Sequence, residues 1–335
     1  MSEQPFADLT EADIRNRFEA ADYIADEPTV TTVYLAMAMQ RPLLIEGPPG
    51  SGKTELGKVL ATAFETELIR LQCYEGLTAD NALYEWNYTK QLLAVQANQA
   101  GVGEPGSSDA MAGSPPEPTA AAAGPTGEPT DSVFSESFLL ERPLLRALTA
   151  ADERPPVLLI DEIDRADEAF EAFLLELLSD FQVSIPELGT ITAAQPPIVV
   201  LTSNRTRGLS DALKRRCLYL HVEPPSFETE YEIVRRKVPE LDAAVAAEVC
   251  AIVEQLREES FLKQPGVAET LDWARAVARL RGGADADAAL SPGEIERTIG
   301  CLLKEAADVS RVDTDLLERL ESAAAAATER VSPPP

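Results

Sequence analysis

Residues 47–54 read GPPGSGKT and stand between an apolar run, PLLIEG (42–47), and a segment with helical spacing, TELGKVLATAFET (54–66). The spacing is GxxxxGK[ST]. Glycines let the backbone curl until its N–H groups face anionic oxygens, and the N-terminus of the following helix adds positive potential. In such a loop Lys53 reaches the β- and γ-phosphates of a nucleotide and Thr54 offers its hydroxyl to Mg²⁺. Gly47, Pro48, Pro49, Gly50, Ser51 and Gly52 form the loop itself, and Glu55 follows in the first turn of the helix. A Gly/Pro turn with a chance lysine is the plainer reading, and the flanking strand and helix weigh against it.

A second group lies in VLLIDEIDRAD (157–167). An apolar strand ending in Asp161-Glu162 sets two carboxylates at the carboxyl edge of a parallel sheet, where ligands bind in this architecture. Asp161 is expected to hold Mg²⁺, and Glu162 to orient the water that attacks a γ-phosphate. Alone the pair is an ordinary acidic turn; with the phosphate loop it acquires a purpose. Asp164 and Asp167 are expected at the surface or at a helix start. In IVVLTSNRT (198–206) the strand ends on Asn204, whose amide suits a place beside the attacking water, although Asn is also a common turn residue. Then comes LSDALKRRC (209–217), where Lys214, Arg215 and Arg216 are adjacent in a chain of net charge −28. Adjacent like charges repel, so at least one of them needs an anionic partner. The single histidine, His221, has no second histidine or nearby cysteine to form a metal site and is read as structural.

The elements that must position these residues alternate. Apolar strand-like runs at 42–47, 67–73, 156–161 and 196–204 are separated by helical patterns, which implies a parallel sheet with helices on both faces. Residues 98–131, rich in Pro, Gly, Ala and Ser with no Lys, Arg or aromatic residue, are expected to be a disordered insertion. Beyond Pro224-Pro225 the strand patterns stop and amphipathic helices follow. The expected organisation is a P-loop α/β core over 1–226 and a smaller all-α lid over 227–335.

Composition narrows the function. No apolar run approaches the roughly 20 residues that span a bilayer. The acidic start, MSEQPFADLT, lacks the pattern of a signal peptide, so a cytoplasmic protein is expected. Four cysteines without a CxxC pair form neither a zinc pattern nor a disulfide framework. With 57 Asp and Glu against 29 Lys and Arg, a general nucleic-acid surface is disfavoured.

The order GPPGSGKTEL, LLIDEIDRAD, FLLELLSDFQVSIPELGTI, VVLTSNRTRGLSDALKRRCLYLHVE resembles the AAA+ ATPases, and within them the MoxR branch, closest in pattern to CoxD-like proteins. The resemblance runs from about residue 20 to 280, omitting the insertion. It implies a homo-oligomeric ring, a hexamer by family habit, that hydrolyses ATP with Mg²⁺. It implies that Arg215 or Arg216 is an arginine finger serving the neighbouring protomer. It implies a hairpin over 182–197, and an inserted element over 73–93 whose Tyr84, Trp86 and Tyr88 face a partner or the ring axis, unless they pack locally. The family's lid arginine would fall at Thr270, so Arg275, in LDWARAV, is the substitute candidate. The implied work is chaperone-like remodelling or metal-cofactor insertion, with a von Willebrand factor A domain protein as partner and a metalloenzyme as client. The alternatives are DNA-associated AAA+ work and a nucleotide-gated scaffold with negligible turnover.

Overall fold

The computed structural model describes residue 6 and residues 8–101, 136–150, 154–186, 188–281 and 288–331. Its centre is a five-stranded sheet built from β1 (Leu43–Glu46), β2 (Leu68–Gln72), β5 (Val157–Asp161), β8 (Ile198–Ser203) and β9 (Leu218–His221). The spatial order is β2-β5-β8-β1-β9, and every pairing is parallel.

Alternation along each strand feeds two cores. Leu44, Leu158, Ile160, Val199 and Leu201 point to one face, and Leu43, Ile45, Val157, Leu159 and Val200 to the other. A sheet buried on both faces reads as continuous apolar sequence, which is why β1, β5 and β8 are legible. The first face is covered by α4 (Ala79–Leu83), α6 (Pro143–Thr149), α7 (Glu168–Asp180) and α8 (Asp211–Arg216); the second by α1 (Glu11–Ala20), α2 (Glu27–Ala38) and α3 (Lys53–Ala63). All the strands run in one direction, so Glu46, Gln72, Asp161, Ser203 and His221 end at one edge.

Two small antiparallel ribbons decorate this core. β3 (Tyr84–Trp86) pairs with β4 (Leu139–Glu141), and β6 (Gln182–Ile185) pairs with β7 (Gly189–Thr192). The second is the hairpin that the family resemblance implied. Between β3 and β4, α5 (Tyr88–Gly101) continues through residues 98–101, which were expected to be loop; the rest of the low-complexity segment lies outside the described residues. Tyr84 and Trp86 meet edge to face at 6.0 Å, while Tyr88 is largely exposed.

From Phe227 onward the chain is helical: α9 (Phe227–Lys237), α10 (Ala243–Glu258), α11 (Val267–Leu280), α12 (Pro292–Thr298), α13 (Ala306–Val309) and α14 (Thr314–Val331). These helices close around an apolar cluster of their own, centred on the fully buried Trp273. The Trp273 indole N–H donates to Thr298 Oγ1 at 2.8 Å, because a buried donor needs an acceptor. In the same region, Arg257 forks onto both oxygens of the buried Glu230, at 2.6 and 2.7 Å. The bidentate geometry offsets the desolvation of both charges.

Candidate functional site

The phosphate loop joins β1 to α3. Gly50 and Gly52 sit at φ of +78° and +92°, in the left-handed region that side chains disfavour, which is what the loop asks of its glycines. Lys53 opens α3 and is buried, and its ammonium donates to the carbonyls of Gly47 (3.0 Å) and Pro48 (2.7 Å). Burial lowers its pKa, while the carboxylates of Asp164, Asp161 and Glu162 pull the other way. Ser51 Oγ is buried and has no hydrogen-bond partner among the described residues. An orphaned hydroxyl and an ammonium folded onto its own loop are donors suited to an external anion, so the cradle fits a phosphate group. Pro48 and Pro49 form its exposed rim, and Glu55 pairs with Lys58 at the surface, 3.2 Å away.

Beside the loop, α3 and β5 place Thr54 Oγ1 2.9 Å from Asp161 Oδ1. The same oxygen accepts from Thr202 Oγ1 of β8, and Oδ2 accepts from Arg70 Nη2 (2.6 Å) and Nε (3.2 Å) of β2. Asp161 is almost wholly buried, so these donors account for its charge. A hydroxyl and a carboxylate converging near a phosphate cradle are oxygen donors of the kind Mg²⁺ accepts, with the remaining positions left to phosphate and water.

Glu162 takes a left-handed backbone (φ 55°), held by its amide donating to Thr202 Oγ1 at 3.0 Å. Its carboxylate is over a third exposed at the sheet edge, with Arg165 Nε 3.8 Å away. Asn204 follows β8, and its backbone N–H donates to Asp164 Oδ1 at 3.2 Å. Asp164 overturns the expectation of a surface or capping residue. It is buried and also accepts the Thr206 amide (2.8 Å) and hydroxyl (2.6 Å), so it pins the loop that carries Asn204. Burial alone would raise its pKa, but the Thr206 and Asn204 donors outweigh that and hold the carboxyl below its ordinary range. Asp167 does cap a helix, accepting from the Phe170 amide at the start of α7.

The helical region touches the loop directly. The Val267 amide, first in α11, donates to the Gly50 carbonyl at 3.0 Å. A Cβ on Gly266 would stand 2.5 Å from Gly50 Cα, so backbone meets backbone. Thr270 is fully buried and donates to Glu230 Oε1. Arg275 pairs with Asp272 at 3.3 Å on an exposed face, and no contact among the described residues joins it to the phosphate loop.

At the far end of the core, α8 is capped by Ser210, and the carbonyls of Arg215, Arg216 and Cys217 accept from Arg41. Arg216 Nη1 donates to the Leu175 carbonyl at 3.1 Å. The exposed side chains of Lys214 and Arg215 have no hydrogen bond or ion pair among the described residues. His221 Nδ1 lies 3.0 Å from the Glu46 carbonyl, between adjacent strands. Sequence reading missed Arg70, Asp164, Thr202 and Gly266. Only Arg70 left a trace, as a charge on the polar side of an otherwise apolar strand.

Residues 29–190 match the family model described as an AAA ATPase domain. That span carries the phosphate loop, Arg70, Asp161 and Glu162, and ends before Asn204 and α8. Among solved structures the chain is similar to the Thermotoga maritima RuvB Holliday junction branch migration motor, at 16% identity, covering 92% of this chain and 68% of that one, with a TM-score of 0.41. Two variants of the same Thermotoga protein give 16% identity and a TM-score of 0.42, covering 93% and 94% of this chain and 70% and 69% of theirs. No curated protein matches the chain.

Proposed function

We propose that this chain hydrolyses ATP as an AAA+ ring of MoxR type, with 1–226 as its nucleotide-binding core and 227–335 as its lid. The carrying observation is the convergence of the phosphate loop with Thr54 and Asp161, the two oxygen donors joined at 2.9 Å. In this reading the loop amides, Ser51 and Lys53 bind the phosphates. Thr54 and Asp161 would hold Mg²⁺, which when bound neutralises charge on the transferring phosphoryl group. Glu162 accepts a proton from the attacking water, and Asn204 orients that water from the adjacent strand end. Arg215, exposed and unpaired within the described residues, would stabilise γ-phosphate charge in the next protomer, while Arg216 is committed to the Leu175 carbonyl. Arg275 is the lid candidate, and its guanidinium faces Asp272 at 3.3 Å.

The family resemblance supplies the output: remodelling of a client, including metal-cofactor insertion, with a von Willebrand factor A domain protein as partner. DNA work is disfavoured by the net charge of −28. The test is ATP turnover with Mg²⁺ for the wild type and Glu162→Gln. A positioned general base contributes about 10²- to 10⁴-fold, so turnover should fall by at least about 100-fold while nucleotide binding persists. Equal rates would remove Glu162 from the chemistry, and a wild type with no turnover would leave the scaffold reading.

A further inference from the structure

Arg70 belongs to none of the motifs, yet it makes the closest charged contact to the candidate metal carboxylate. It projects from the third position of β2, where Ile69 and Leu71 face the core and Arg70 and Gln72 face the opposite side. Strand register sets Gln72 beside Asp161, so Arg70 lies two residues back along the same face and leans forward. Its Nη2 and Nε both reach Asp161 Oδ2, at 2.6 and 3.2 Å, and Nη2 also donates to Gln72 Oε1. The Asp161 side chain is 3% exposed, whereas that of Arg70 is 49% exposed. The carboxylate is therefore fixed, and the guanidinium has room to swing into solvent.

We infer that Arg70 is a built-in counter-ion that competes with a divalent cation for Asp161, so that metal binds only together with a nucleotide. This rests on the proposed nucleotide site. A buried carboxylate with no cation would be strongly destabilising, and Arg70 supplies that cation while Mg²⁺ is absent. Two cations on one carboxylate repel, so Arg70 weakens metal binding when the protein is alone. Nucleotide phosphates add negative charge beside Thr54 and reverse the balance. The metal then takes Asp161, and Arg70 is released towards Gln72 and solvent.

Two measurements test this on the full chain. The first follows free Mn²⁺ by electron paramagnetic resonance without nucleotide. The wild type should bind no Mn²⁺ at concentrations where Arg70→Met binds it measurably; tight binding by the wild type alone overturns the inference. The second titrates Mg²⁺ against the fluorescence of mant-ADP. Arg70→Met should lower the Mg²⁺ concentration for half-maximal binding about tenfold, the scale of one partly screened charge at this distance. Arg70→Lys, which keeps the charge, should stay near wild type. An unchanged or raised midpoint in Arg70→Met overturns the inference. Should Arg70→Met fail to fold, tight Mn²⁺ binding by the nucleotide-free wild type still overturns the inference. A wild type that binds no mant-ADP at any Mg²⁺ concentration defeats the functional reading itself, an outcome distinct from binding that ignores Arg70.

Discussion

The two charged regions of the core treat their charges in opposite ways. At the carboxyl edge of the sheet every ionic group has an internal partner: Lys53 on the loop carbonyls, Asp161 between Arg70 and two hydroxyls, Asp164 under three donors. At the end of α8 the backbone carbonyls are satisfied by Arg41, and the Arg215 side chain has no hydrogen bond or ion pair among the described residues. The internal pairings at the sheet edge hold the charged groups in place until a ligand of opposite sign competes for them. Arg215 lies in the last turn of a helix that Ser210 caps, and its side chain is exposed to solvent. The difference separates charges paired within the chain from one that has no such partner among the described residues.

That contrast can be broken by experiment. The largest effect is expected from Arg215→Ala, which should lower turnover about 10³-fold or more while leaving nucleotide binding intact, as removal of an arginine finger does elsewhere. Mixing it with Lys53→Ala protein should restore part of the rate if the arginine works across a subunit boundary. Loss of nucleotide affinity in a monomeric Arg215→Ala protein would erase the distinction. Lys53→Ala belongs to the internal class and should weaken nucleotide binding about 100-fold, about 2.7 kcal/mol, read by mant-ADP titration. Asp164→Asn removes acceptor capacity beneath Asn204. It should cost about 1–3 kcal/mol in chemical denaturation and slow turnover more than it weakens binding.

The smallest expected effect on turnover lies in the helical region. Arg281 is buried and holds Glu294 through Nε (3.0 Å) and Nη2 (2.8 Å), lowering the Glu294 carboxyl from 4.5 to about 2. A carboxyl lowered on folding stabilises the fold above its unfolded value and loses that contribution as pH falls from about 4.5 towards 2. Arg281→Met should therefore lower stability by about 2 kcal/mol at pH 7, with the gap to wild type narrowing below pH 4 in thermal melts.

What was legible in the sequence was local. The phosphate loop, the Asp161-Glu162 pair and the strand before Asn204 are each written in consecutive residues, and strands buried on both faces announce themselves by unbroken apolar runs. β9 escaped because LYLH is short, and its Tyr219 and His221 are exposed on the sheet's edge strand. α1 escaped because only Ile14 and Phe18 are buried, two apolar residues in ten, although Thr10 and Asp13 formed a readable capping box. Arg70 and Asp164 could not be assigned from sequence because their partners, Asp161 and the Asn204–Thr206 loop, lie 91 and about 40 residues away. Strand order alone brings those pairs together.

The seam between Gly50 and Gly266 sets a rule for mutational tolerance. A Cβ on Gly266 falls 2.5 Å from Gly50 Cα, and one on Gly50 falls 2.8 Å from Gly266 Cα, so hydrogen is the largest group either site admits. Size and charge have no graded role at such a seam. In a saturation library, every replacement at position 266 should group as one phenotype, the helical region standing off the phosphate loop, with alanine as damaging as tryptophan.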